Sequence, residues 1–162
     1  MTDTPNKPRI VIGSDHAGFL VKETIRKYLA AAGYAVDDQG TNSEESVDYP
    51  DYGKAVGERV ASNQADFGVA VCGSGIGISI AANKVPGIRA ALAHDVTTAR
   101  LAREHNDANV LALGGRIVTA EAAVEIVQTF LTTAYPDGRH QRRLDKITEI
   151  ERDSHVPGPR GP

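Results

Sequence analysis

The chain has 162 residues, 41% apolar and 24% charged, with a net charge of −3, a balance that fits one globular domain with a sizeable core. That charge supplies no global field for nucleic acid or a membrane, so any bound anion must be held by a local cluster. The one cysteine, Cys72, excludes an intrachain disulfide framework and every multi-cysteine zinc pattern.

Residues 1–8 are polar, carry Pro5 and Pro8, and lack the apolar segment of a secretory signal. They read as a disordered tail, as does the Pro/Gly-rich stretch 153–162. No apolar run reaches membrane-spanning length, which points to a reducing, cytoplasmic setting. Between the tails lies a single domain, 9–152. Its first strand, RIVIGS (9–14), precedes FLVKETIRKYLAAAG (19–33), where a 3.6-residue period lets Leu20, Thr24, Tyr28 and Ala31 share a face. Ile25 and Leu29 flank that face, and Gly33 suits the C′ position. YAVDDQ (34–39) is the second strand, followed by a helix at about 50–63. FGVAVC (67–72) runs into a helix at 76–84, IRAALAH (88–94) into one at 96–105, and NVLALGG (109–115) into one at 119–132. A last helix covers 138–152. Alternation of this kind implies right-handed βαβ units. The expected fold is α/β, a single doubly wound Rossmann-like sandwich with a five-stranded, mainly parallel sheet and helices on both faces.

In such sheets ligands bind beyond the carboxyl ends of the strands, where helix N-termini present free N–H groups. The polar residues there are Ser14-Asp15-His16, Cys72-Gly73-Ser74, His94-Asp95 and Gly114-Gly115-Arg116. CGSGIG (72–77) follows a strand and opens a helix, the geometry of an anion cradle. It is no dinucleotide fingerprint, because Ile78 stands where the third glycine belongs and the loop follows the third strand. Nor is it a Walker loop, a C-x-x-C redox pair (position 75 is Gly) or a cysteine-phosphatase loop (position 78 is Ile, not Arg). Two readings of Cys72 stay open on the residues alone. It is a small buried hydrophobe, or a helix-start thiol suited to proton transfer.

Other segments carry similar pairs of readings. Asp15 and His16 of SDHAG are an N-cap with a solvated neighbour, or partners for sugar hydroxyls and phosphate. His105 and Asn106 of REHNDAN meet the last carbonyls of a helix, or act on a ligand. In GRHQRR (138–143), Arg139 and Arg143 are four residues apart on one expected helix face, with His140 and Arg142 turned away. Two guanidinium forks suit a phosphate, though such a run is commonly a solvated face. His94 follows no pattern that suggests a role.

GSDHAGF, DYPDYG, CGSGIGISIAANKVPGIRAAL, AREHNDANVLALGGR and GRHQRR together, in this order over about 9–152, resemble the family of type B ribose-5-phosphate isomerases and galactose-6-phosphate isomerase subunits. The resemblance implies a Rossmann-like homodimer with shared active sites, no metal and no organic cofactor. It also implies interconversion of D-ribose 5-phosphate and D-ribulose 5-phosphate. Cys72 then corresponds to the base between C1 and C2. Ser74 and the amides of Gly73, Gly75, Ile76 and Gly77 correspond to the enediolate's hydrogen-bond ring. His105, with Asp15 nearby, corresponds to the ring-opening group, and Asn106 to a sugar-oxygen contact. His16, Arg116, Arg139 and Arg143 correspond to the phosphate site, the last two reaching in from a partner subunit, and Tyr49 to the pocket lining. Some members have glycine in place of the cysteine and a glutamate where Ile78 stands, so this chain resembles the cysteine-base branch. A six-carbon sugar phosphate is the alternative substrate, and a non-catalytic sugar-phosphate or nucleotide sensor the alternative class. Neither nucleic acid nor a membrane is an expected partner.

Overall fold

Five short strands, rich in β-branched and aliphatic residues, form one sheet: β1 (Ile10–Ser14), β2 (Val36–Asp38), β3 (Phe67–Cys72), β4 (Ala90–Leu92) and β5 (Val110–Gly114). The computed structural model describes residues 6–154. Residues 1–5 and 155–162, most of the two expected tails, lie outside the described residues. The strand order is β2-β1-β3-β5-β4 and every pairing is parallel. Among the described residues six α-helices connect and cover the strands: α1 (Phe19–Ala31), α2 (Tyr49–Ala61), α3 (Ile76–Asn83), α4 (Val96–Asn106), α5 (Ala120–Thr132) and α6 (Gln141–Ser154).

Side-chain alternation along the strands sorts the core into two layers. Ile10, Ile12, Val69, Val71, Leu111 and Leu113 face Ile25 and Leu29 of α1, Ala99 and Ala102 of α4, and Ile126, Val127 and Phe130 of α5. Val11, Ala70, Cys72, Val110 and Ala112 face Val56 and Val60 of α2 and Ile78 and Ala82 of α3. Each large aliphatic side chain buried this way contributes about 1.5–3 kcal/mol. The chain runs outward from β1 to β2 and returns past β1 to β3. Loops leaving β1 and β3 therefore diverge to opposite faces and open a crevice between them, the switch point of a doubly wound sheet.

Three local expectations change. The buried face of α1 is Val21, Lys22, Ile25 and Leu29, whereas Leu20 is 62% exposed. Lys22, fully buried, turns the helix that way because its ammonium bonds both oxygens of Asp38 at 2.8 and 2.9 Å and Glu23 at 3.2 Å. The edge strands β2 and β4 are shorter than expected. At β4 the Asn83 amide donates to Ala90 O at 2.9 Å and accepts from Ala90 N at 2.8 Å, taking the place of a neighbouring strand. Finally, α6 starts at Gln141. Arg139 thus belongs to the preceding turn instead of sharing a helical face with Arg143.

Candidate active site

A cleft of about 670 Å³ lies over the β1/β3 switch point, lined by Asp15, His16, Tyr49, Cys72, Gly73, Ser74, Ile76, Gly77 and Arg116, together with Ala17, Ile80 and Ile117. Cys72 ends β3 and is only 4% exposed. The turn after it depends on Gly75 at φ +77°, where a Cβ would stand 2.7 Å from the Leu113 carbonyl carbon. That turn brings the Gly75 N–H back to donate to Cys72 Sγ at 3.2 Å, a bond strengthened whenever the sulfur carries charge. Gly75 is accordingly buried beneath the cleft. Its amide is engaged by the Cys72 sulfur. Ile76 likewise donates to Ser74 Oγ at 3.2 Å, which leaves the Ser74 hydroxyl hydrogen free to turn. Among the described residues the N–H groups of Gly73 and Gly77 have no protein acceptor, so both are available to an oxyanion.

Neighbouring elements hold this loop from both sides. Gly115 N donates to Cys72 O at 2.8 Å and Arg116 N to Gly73 O at 3.0 Å, which brings the β5 loop and the Arg116 side chain beside the glycines. His94 Nε2 meets Ser74 O at 3.3 Å. This contact sets His94 against the glycine loop, a position that its sequence context did not suggest. His16 Nδ1 accepts from Val47 N at 3.1 Å, which leaves Nε2 as the donor nitrogen of this cleft-lining residue. Asp15 Oδ1 caps the turn His16–Gly18 by accepting from Gly18 N at 3.0 Å, and the residue is among those lining the cleft. The Tyr49 ring stands against Gly77, where a Cβ would come within 2.5 Å of it. Ala17, Ile80 and Ile117 carry no chemical signal in the sequence; only the fold brings them to the rim.

The remaining predicted residues gather elsewhere. His105 and Arg139 line a separate cavity of about 300 Å³ with Glu104, Ala134, Pro136, Asp137 and His140. His105, in the last turn of α4, stacks on His140 with ring centroids 4.3 Å apart and planes 23° apart. Arg139 Nε donates to His140 Nε2 at 3.3 Å, and Arg143 Nη1 donates to Arg139 O at 3.2 Å. Burial, then His105 and the two guanidinium groups, hold the pKa of His140 below the ordinary histidine value. The end of α4 is clamped by two arginines. Buried Arg103 donates to Asp107 Oδ1 at 2.8 Å, Ala108 O at 2.6 Å and Thr133 O at 3.3 Å, its guanidinium 4.7 Å from the Phe67 ring centroid. Arg89 donates to Asn106 O and Asp107 O, both at 2.9 Å. Asn106 itself lines a third cavity, of about 550 Å³, beside Arg89, Ile147 and Ile150. Within one chain, then, the structure does not bring His105, Asn106 and Arg139 into the Cys72 cleft.

Among the described residues no group of histidine, cysteine and carboxylate side chains is arranged to hold a metal ion. No described helix is long and apolar enough to cross a membrane. Residues 10–147 match the family model described as Ribose/Galactose Isomerase. Ribose-5-phosphate isomerase B of Escherichia coli (strain K12) is 48% identical over 143 residues, covering 88% of this chain and 96% of that protein. The structure of Clostridium thermocellum ribose-5-phosphate isomerase B matches with a TM-score of 0.89 at 53% identity, covering 90% of this chain and 99% of that one. That of ribose-5-phosphate isomerase B from Mycoplasma genitalium, with bound ribulose-5-phosphate, matches with a TM-score of 0.86 at 43% identity, covering 90% and 97%.

Proposed function

Because the chain belongs to the ribose/galactose isomerase family, we propose that it interconverts D-ribose 5-phosphate and D-ribulose 5-phosphate through an enediolate, with Cys72 as the base. The observation that carries this reading is the Cys72 sulfur in a cleft wall, bonded by the Gly75 amide and bordered by unengaged N–H groups. An aldose–ketose shift removes a weakly acidic C–H proton and builds negative charge on the adjacent oxygen. A base beside preorganised donors answers both needs. Cys72 takes the proton from C2 and returns it to C1. The Gly73 and Gly77 amides and the Ser74 hydroxyl hold the enediolate oxygens, with the Ile76 segment shaping that wall. The carbon skeleton is oxidised at one position and reduced at the next, so the reaction balances without a cofactor.

The phosphate and the ring-opening step complete the assignment. His16 Nε2 and Arg116 provide donors at the cleft, and Tyr49 closes its side. His105, Asn106, Arg139 and Arg143 act in the cleft of a second copy, making each site of a homodimer composite. The exposed rim supports that assembly: Tyr49, Ile76, Ile80 and Ile117 are 41%, 53%, 55% and 59% exposed around the cleft, apolar surface that a partner would cover. His105 opens the furanose, with Asp15 of the facing subunit beside the sugar, and Asn106 holds a sugar oxygen. A reducing cytoplasm keeps the base as a free thiol.

Ribose 5-phosphate deuterated at C2 tests the chemistry. The protein is expected to yield ribulose 5-phosphate with the label moved to C1 or lost to solvent, and Cys72→Ala to do neither. No turnover by the natural chain would overturn the activity; undiminished transfer in Cys72→Ala would overturn the base. Mixing Cys72→Ala with His105→Ala chains tests the shared site. Random pairing should restore about a quarter of the natural activity, since one site of each mixed dimer is intact.

A further inference from the structure

His140 lies outside the machinery assigned above, yet its ring lies almost flat on His105. We propose that His140 is the positioning residue for ring opening, holding the His105 imidazole at the angle from which it exchanges protons with the sugar. The proposal rests on the isomerase reading and concerns the step before C–H abstraction. In that step the proton on the anomeric O1 is removed, the C1–O1 bond becomes a carbonyl as the C1–O4 bond breaks, and O4 gains a proton. One imidazole can serve both oxygens only if its edge is presented to them at a fixed angle.

A catalytic imidazole is usually oriented by a hydrogen bond at its second nitrogen. Among the described residues neither nitrogen of His105 has a hydrogen-bond partner in its own chain, so both stay available to the sugar and something else must fix the ring. The 4.3 Å stack on His140 does so. His140 is itself anchored. Its Nε2 accepts from Arg139, and its carbonyl accepts from Arg143 N at 2.9 Å and Leu144 N at 3.1 Å at the start of α6. That acceptor role needs a neutral ring, which burial and the neighbouring cations Arg139 and Arg143 favour. Glu104 and Asp137 are the carboxylates lining the same cavity. A neutral, anchored plate can stay in place while the ring on top of it gains and loses a proton.

The test exploits a chemical asymmetry between the two substrates. Ribose 5-phosphate is a furanose that must open, whereas ribulose 5-phosphate has its O5 esterified, cannot close on C2, and is already open. Initial rates of isomerisation from ribose 5-phosphate are compared with solvent-deuterium exchange at C1 of ribulose 5-phosphate. For His140→Ala we expect isomerisation to fall about ten- to a hundredfold, with exchange held within about twofold. His140→Phe, which keeps a flat ring, should recover most of the loss. Equal losses in both reactions, no loss in either, or a phenylalanine variant as impaired as alanine would overturn the proposal. Should the alanine variant fail to fold, His140→Asn carries the same comparison. Failure of the natural chain in both reactions would sink the isomerase reading instead.

Discussion

The Cys72 cleft and the His105 cavity are built by opposite means. The first is backbone work. Two parallel strands end side by side, a left-handed glycine turns an amide onto the sulfur, and the β5 loop bonds the carbonyls of Cys72 and Gly73. The second is side-chain work. The end of α4 is held by Arg89 and Arg103, and the His105 ring by another ring from the turn before α6. Backbone geometry follows from the sheet and tolerates little change; side-chain clamps reach across elements and can be removed one at a time. Mutation should therefore damage the two halves differently.

The largest expected effect is on the backbone-built half. Cys72→Ala removes the proposed base but leaves the turn intact, so kcat should fall about 10²- to 10⁴-fold while KM changes little. Steady-state kinetics decide it; a collapse of binding with chemistry retained would make Cys72 a structural residue. Next comes the clamp. Arg103→Met keeps much of the buried stem but leaves the carbonyls of Ala108 and Thr133 without their donor and Asp107 without its closest cation. A loss of about 3 kcal/mol is expected, read as a lowered urea midpoint. A change near zero would mean that Arg89 alone holds the end of α4. Smaller again is Gly77→Ala, whose methyl group would displace the Tyr49 ring instead of any backbone. Stability should change by less than about 1 kcal/mol, while KM rises a few-fold as the cleft wall shifts. Unchanged KM would remove Tyr49 from substrate contact.

The same division governs what was legible in the sequence. Strands, their helices and the Cys72 loop could be read because β-branched runs, glycines and cap residues act over a few neighbouring positions. The buried face of α1 could not be read. It follows from Lys22 reaching Asp38 on another strand, and helical periodicity alone favoured Leu20. Arg139 and Arg143 do meet, through the Arg139 carbonyl, but from a turn and a helix instead of one helical face. His94 on Ser74 and His140 on His105 join residues far apart in the chain, and no spacing rule reports such pairs. The resemblance to a family supplied expected roles for residues of both regions. That the halves line separate cavities within one chain emerged only from the fold.

A further modest effect is an acid one, and it separates the two regions without touching either. Glu23 is held at a pKa of about 2, chiefly by its hydrogen bond from Arg26, with Lys22 assisting and burial opposing. A carboxyl whose folded value is depressed stabilises the protein fully above its unfolded value. That contribution fades as pH falls from about 4.5 toward 2. With the Arg26 side chain 36% exposed, screening leaves about 1 kcal/mol at stake. Urea midpoints measured across that window should drop more for the natural chain than for Glu23→Gln; parallel curves would dismiss the ion pair. Because α1 follows the Asp15–His16 turn, its loosening should reach the Cys72 cleft first. The clamps on α4 rest mainly on the carbonyls of Asn106, Asp107, Ala108 and Thr133, which do not titrate, with the Asp107 carboxylate as an added partner. Hydrogen exchange in acid should therefore speed up across α1 before α4, and the reverse order would mean that the side-chain-built half is the weaker one.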